Sequence, residues 1–202
     1  MSHSSVNIND YLGYVHKFVQ KHMALREEQI NLFIPYLEIR QFAKKQVILA
    51  GGQVENYLNL VVKGLVRKYI LIDNREKTLQ LATEGHVVQS EHSFYRRHAS
   101  DMNTEALESS LLISIRHDNF QRCMETIDGA EQLARQLMTY MFIKKDAHYL
   151  YHVKNTARQR FIHYITHHPQ MLQRVPQKIL ASYLDIKPET FSRMKRLLKV
   201  NY

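Results

Sequence analysis

The hydrophobic pattern of the chain changes period twice. Through residue 42 the apolar positions recur at helical spacing. Leu12, Val15, Phe18 and Val19 share one face of a helix that Asn9-Asp10 can cap and that runs to about Met23. A second amphipathic segment spans Arg26 to Leu37, with a bend expected at Pro35. From Gln46 the runs shorten and read as strands. QVILA ends at Gly51-Gly52, and Leu58 to Val62 leads to Gly64. Leu65 to Ile72 closes at the polar turn Asp73-Asn74-Arg75-Glu76. Thr78 to Thr83 alternates, with Leu79 and Leu81 on one side, and ends at Glu84-Gly85. After a polar stretch, Thr104 to Leu107 and Ser110 to Ile115 complete the set. Many short strands with Gly-marked turns predict an antiparallel sandwich or jelly roll, a form that commonly encloses a small-molecule pocket.

Helical spacing then returns. His117 to Ile127 reads as a short helix, broken by Asp128-Gly129. A long helix follows, AEQLARQLMTYMFIKKDAHYLYHVKN. Ala130, Leu133, Ala134, Leu137, Met138 and Met141 form an apolar band on it. That band could pair with its twin in a dimer or pack on the roll; the dimer, through residues 130–153, is the preferred expectation. Asn155-Thr156 can cap the next helix, Ala157 to His167, which His168-Pro169 stops. The last stretch, VPQKILASYLDIKPETFSRMKRLLK, predicts two short helices joined by a tight turn. Pro176 and Pro188 suit first-turn positions, and Leu180, Leu184, Ile186, Phe191 and Met194 supply the faces to be buried. This is the packing signature of a helix-turn-helix. The outer face of the second helix carries Glu189, Thr190, Ser192, Arg193, Lys195 and Arg196, groups that can reach base edges and phosphates. The fold class is therefore α+β: a helical lead-in, a β-roll, a long helix and a basic helix-turn-helix.

Charge sharpens this picture. The chain of 202 residues has a formal net charge of +9. Residues 1–150 hold 18 Lys/Arg and 17 Asp/Glu, whereas residues 151–202 hold 10 Lys/Arg and, as acids, Asp185 and Glu189. The excess sits on the segment that reads as a helix-turn-helix, and a polyanion is its simplest partner. A membrane surface fits less well, because the basic helices are short and keep no broad apolar face once packed. The N-terminus lacks an apolar signal region and no run is long enough to span a bilayer, so a cytoplasmic location is expected. With Cys123 the one cysteine, an internal disulfide and a four-cysteine metal or iron–sulfur site within the chain are excluded.

From about residue 25 onward the chain resembles the bacterial regulators typified by the cyclic-AMP receptor protein and the fumarate–nitrate regulator, the Crp/Fnr family. The resemblance rests on Val62-Lys63-Gly64, on Gly52 and Gly85 at turns, on the long helix, and on Glu189-x-x-Ser192-Arg193. The phrase RVPQKILASYLDIKPETFSRMKR is similar to members from Bacteroidetes-type bacteria. The resemblance implies a homodimer on a near-palindromic operator and three parts. Residues 1–127 would be a cyclic-nucleotide-binding-like sensor, 128–154 a dimerisation helix, and 155–202 a DNA-binding domain. RNA polymerase and a small-molecule effector become candidate partners. Docked in that way, Arg193 would bond a guanine, Glu189 would accept from a base amino group, and Thr190 and Ser192 would complete the base-facing set. Lys187, Lys195, Arg196 and Lys199 would neutralise phosphates.

The departures bear on the input. Relatives that bind cyclic nucleotides carry Gly-Glu-Leu and, some ten residues later, an Arg followed by Ser or Thr. This chain has Gln89-Ser90-Glu91-His92 and then His98-Ala99-Ser100. Glu91 is the candidate acid, but no Arg directly precedes Ser100; Arg96 and Arg97 lie upstream. An anionic phosphodiester needs a charge-assisted partner, best supplied by Arg, so cyclic AMP binding of the usual kind is not expected and the effector is unassigned. Glu91, Arg96, Arg97 and Ser100 stand as the candidate effector pocket. Asp185 occupies a turn position where the family usually has glycine and a positive φ. Among the twelve histidines, His148/His152 and His163/His167 are spaced i, i+4, but neither pair has the intervening Glu of HExxH or an evident third ligand, so no metal site is expected. Nothing suggests an enzyme: no Gly-rich phosphate loop, nucleophile elbow or paired catalytic carboxylates stand out. The competing class is a ligand-sensing module whose basic end contacts protein or RNA.

Overall fold

The computed structural model describes residues 7–22 and 26–200, the side chains at 22 and 198–200 excepted; Met23, the expected end of the first helix, lies outside them. Two four-stranded antiparallel sheets make the roll. One runs β1 (Leu37–Phe42), β8 (Ser110–Arg116), β3 (Tyr57–Lys63), β6 (Val87–Val88). The other runs β2 (Val47–Leu49), β7 (Met102–Ala106), β4 (Val66–Ile72), β5 (Arg75–Ala82). Their inner faces share a core that includes Val61, Val66, Ala82, Ala106 and Leu112. The first sheet is covered on its outer face too, where helices pack on Leu58, Leu60, Ile113 and Ile115. This double burial explains why β3 and β8 read as near-continuous apolar runs rather than alternating ones.

The covering helices are α1 (Leu12–His22), α2 (Glu27–Asn31), α4 (His117–Thr126) and the first half of α5 (Ala130–Lys154). A 3₁₀ turn, Ile8–Tyr11, precedes α1, and its cap is Asn7, whose side chain accepts from the Asn9 N–H at 3.0 Å. Residues 1–42 read as helical throughout, yet Leu37–Phe42 is a strand paired along β8. Pro35 opens a 3₁₀ turn, and beyond it the apolar positions Leu37 and Ile39 alternate with Glu38 and Arg40. The short helix α3 (Glu91–Arg96) falls in a stretch that carries no periodic signal. At the β4–β5 hairpin Asp73 and Asn74 both take positive φ, the conformation of a two-residue hairpin turn that matches strand twist.

On α5 the band Ala130, Leu133, Ala134 and Leu137 packs on the roll and lead-in helices. Met138 of the sequence band, and further apolar residues in the second half of the helix, are left exposed. Met138, Phe142, Tyr149 and Val153 recur at spacings of four, seven and four, and the last three are 65–70% exposed. Those spacings place the four on one helix face.

After α5 the chain turns at Asn155. Helices α6 (Ala157–His167), α7 (Met171–Arg174), α8 (Gln177–Tyr183) and α9 (Pro188–Val200) follow. Thr156 caps α6 reciprocally with Gln159. These helices share a core with the roll: Phe161, Leu180, Leu184 and Phe191 sit with Leu65, Leu81 and Leu107. The Phe161 and Phe191 rings meet edge to face at 5.0 Å, tying α6 to α9.

Candidate nucleic-acid interface

The α8–α9 turn is a Schellman motif. The Ile186 N–H donates to the Ala181 carbonyl and the Asp185 N–H to the Ser182 carbonyl, with Asp185 left-handed at φ 56°. The position that favours glycine is thus filled by an aspartate, as its place in the sequence suggests. Asp185 also ties the turn to the roll. Its carboxylate pairs with the Lys77 ammonium on β5, which holds its carboxyl below the usual range. Ser182 adds two bonds to the same strand, accepting from the Thr78 N–H at 2.9 Å and donating to the Glu76 carbonyl at 3.1 Å.

Two arginines that sequence reasoning counted only as charge build the mount of this motif. Arg160 of α6 is buried. Its guanidinium donates to the carbonyls of Leu184 (2.7 Å), Asp185 (2.8 Å), Asn155 (2.7 Å) and His152 (3.2 Å). It therefore satisfies the orphan carbonyls at the ends of α8 and α5 with one rigid fork. Arg174 of α7 reaches the roll, donating to Glu108 (2.8 Å), Glu84 (2.9 Å) and the Gly64 carbonyl (3.1 Å). The hydrogen bonds it donates to these two carboxylates raise the Arg174 guanidinium still higher. Gly64 cannot be replaced quietly: at φ 99°, an added Cβ would lie 2.4 Å from Ser110 Oγ and 2.7 Å from the Ser109 carbonyl oxygen.

With the mount accounted for, the outer face of α9 is what remains. Lys187, Glu189, Arg193 and Arg196 are exposed, and Thr190, Ser192 and Lys195 are half-buried. Phe191 points inward and is fully buried. Among the described residues, no ion pair holds Lys187, Arg193, Lys195 or Arg196. The Lys199 side chain lies outside the described residues.

The candidate effector residues are partly gathered. Glu91, in the first turn of α3, accepts from Lys68 of β4 at 3.0 Å and pairs with Lys145 of α5 at 3.2 Å. Lys68 is 2% exposed and also donates to the Gln89 carbonyl at 2.8 Å. Burial pulls the Lys68 ammonium below the ordinary lysine range, against the attraction of Glu91. Burial alone would raise the Glu91 carboxyl, but the two ammoniums outweigh it and hold it low. Ser100 is buried against Ser90, hydroxyl to hydroxyl at 2.8 Å. Arg97 does not join them. It caps α3 in a left-handed conformation and donates to the Glu55 carbonyl at 2.6 Å and to Asn56. Arg96 is exposed. The sequence reading missed Lys68 and Lys145, whose partner lies 23 and 54 positions away.

The His148/His152 pair packs against α8, and the His163/His167 pair is exposed. His148 stacks on Tyr183 of α8 at 5.2 Å and lies 4.4 Å from His152. No group of three His, Cys, Asp or Glu positioned for a metal occurs among the described residues.

Residues 39–127 match the family of cyclic nucleotide-binding domains. The roll and α4 are therefore similar to a cyclic nucleotide-binding domain. The fold of the whole extends beyond it. A putative transcriptional regulator of the Crp/Fnr family from Eubacterium rectale is similar over 88% of this chain and 85% of its own, at 21% identity and a TM-score of 0.68. The c-di-GMP-responsive global regulator CLP of Xanthomonas campestris is similar over 87% and 93%, at 16% identity and a TM-score of 0.68. FixK2 from Bradyrhizobium japonicum is similar over 82% and 85%, at 20% identity and a TM-score of 0.66. No curated protein matches the sequence. The roll, the long helix α5 and the C-terminal helices together thus share the fold of these three structures. No described helix is long and apolar enough to cross a membrane.

Proposed function

We propose that the protein is a dimeric, sequence-specific DNA-binding transcription regulator. The observation that carries this reading is the division of labour among its C-terminal cations. Arg160 and Arg174 are consumed in holding the helix-turn-helix, whereas Lys187, just before α9, and Arg193, Lys195 and Arg196 on its outer face have no acidic partner among the described residues. An over-determined turn behind a cationic face left without acidic partners is what base and phosphate recognition needs. In this reading Arg193 takes a guanine edge, Glu189 accepts from a base amino group, Thr190 and Ser192 contact bases, and the remaining cations, Lys199 included, neutralise phosphates. The exposed stripe of α5 pairs with its copy to bring two reading heads onto one duplex. Residues 1–127, 128–154 and 155–202 then act as sensor, dimer helix and reading head. The cytoplasm is the compartment, and RNA polymerase is the second macromolecular partner.

The binding domain does not take cyclic AMP in the usual way in this reading. Its acid is already neutralised by two lysines, and its Arg97 is committed to the chain's own carbonyls. The reading is tested by binding to duplex DNA across a salt series. Affinity should fall steeply and linearly on a logarithmic scale, and Phe142→Glu should convert a dimer to a monomer and weaken operator binding. Salt-insensitive binding, or a dimer unmoved by the substitution, contradicts it.

A further inference from the structure

A second, separate site lies on the other side of the first sheet. A cavity of about 120 Å³, partly open to the surface, lies between the outer face of that sheet and helices α1, α2, α4 and α5. Phe18, Phe33, Leu60, Ile113, Cys123 and Ala134 are among its walls, and it shares none with Glu91, Arg96, Arg97 or Ser100. Among the described residues, the Cys123 thiol is the one polar side-chain group that lines it. Burial pushes that thiol up to about 11, so it stays protonated at neutral pH and offers neither a nucleophile nor a metal ligand.

Protein interiors pack at crystal-like density, with few voids larger than a water molecule. A void of this size walled by hydrocarbon does not attract water, which would find no two partners there. Apolar cavities of roughly 150 Å³ stay dry and admit benzene or xenon. Ala130 and Ala134 face the space from α5, where a larger side chain would fill it.

We propose that this cavity is a binding site for a neutral, apolar small molecule about the size of one aromatic ring. The site excludes anions, including nucleotides, because it holds no charge to meet them. It discriminates against hydroxylated analogues, because a buried hydroxyl there has no acceptor. Its walls come from the lead-in helices, the sheet and α5 together, so an occupant contacts every element that positions the first half of the long helix.

The test uses the full chain and three probes: xenon, toluene and phenol. Xenon-129 NMR should show a saturable shift that toluene displaces, and toluene should raise the unfolding temperature while phenol binds at least tenfold more weakly. Ala134→Leu should abolish both toluene effects. The wild-type displacement experiment decides the matter even if that variant does not fold. No saturable xenon shift, or xenon that toluene fails to displace, overturns the site; phenol binding as tightly as toluene overturns its apolar selectivity.

Discussion

The guanidinium of Arg160 donates to the backbone carbonyl of Asp185 at 2.8 Å, so the left-handed residue of the α8–α9 turn is held from beneath by a buried cation. The same side chain reaches Leu184, Asn155 and His152. The end of the long helix and the turn of the helix-turn-helix therefore share one anchor.

Removing that anchor should be costly. Arg160→Met leaves several buried carbonyls without donors, at about 1–3 kcal/mol for each group that water cannot reach. Arg160→Lys should not rescue it, because a point charge cannot serve four acceptors in fork geometry. Chemical unfolding of both variants checks this, and a lysine variant as stable as wild type would show that charge alone suffices.

Asp185→Gly and Asp185→Val should diverge. Glycine removes a left-handed penalty of about 1–2 kcal/mol and loses an exposed ion pair worth about 0–1 kcal/mol. The glycine variant should therefore match or slightly exceed wild-type stability. Valine, β-branched, should lose about 2 kcal/mol or more. Urea midpoints measure both, and a glycine variant less stable than the valine one would contradict the turn assignment.

Acid should loosen the junction between α5 and α8. Burial, reinforced by His148 and Arg160, lowers His152 to about 4, whereas an unfolded histidine titrates near 6.5. Between these values the unfolded chain binds the extra proton. The contribution is thus whole above about pH 6.5 and fades as pH falls toward 4. Thermal unfolding across that window should show the decline, and His152→Phe should flatten it. An unchanged slope in the variant would assign the effect elsewhere.

The Lys68–Glu91 pair should behave as a unit. Lys68→Met should destabilise by about 3 kcal/mol, since it strips a partly buried carboxylate of one partner. Adding Glu91→Gln should recover a good part of the loss. In wild type, millimolar cyclic AMP should leave the unfolding temperature unchanged; a rise of several degrees would show that the nucleotide displaces the lysine.

Much of this architecture is legible in the sequence, and the reasons are local. Gly64, Gly85 and the Asp73-Asn74 turn punctuate the roll, and Pro176, Asp185 and Pro188 frame the helix-turn-helix. What is hidden depends on partners far along the chain. Arg160, Arg174 and Arg193 are equal in a charge count, and only the fold shows that the first two face carbonyls and carboxylates. The band Ala130 to Met141 has helical spacing, but spacing does not say which surface covers it. Here the roll covers most of that band, and the stripe through Phe142, Tyr149 and Val153 is left exposed. Strand β1 was obscured by the helical segments before it, and α3 by a stretch with no apolar period.

Arg193 bears the most direct consequence of the DNA reading. A selection from random duplexes should recover a two-fold symmetric motif with a guanine in each half-site. On that motif Arg193→Ala should lose about 1–3 kcal/mol while binding to scrambled duplex changes little. A selection that enriches no motif, or an equal loss on cognate and scrambled DNA, would contradict base reading by α9.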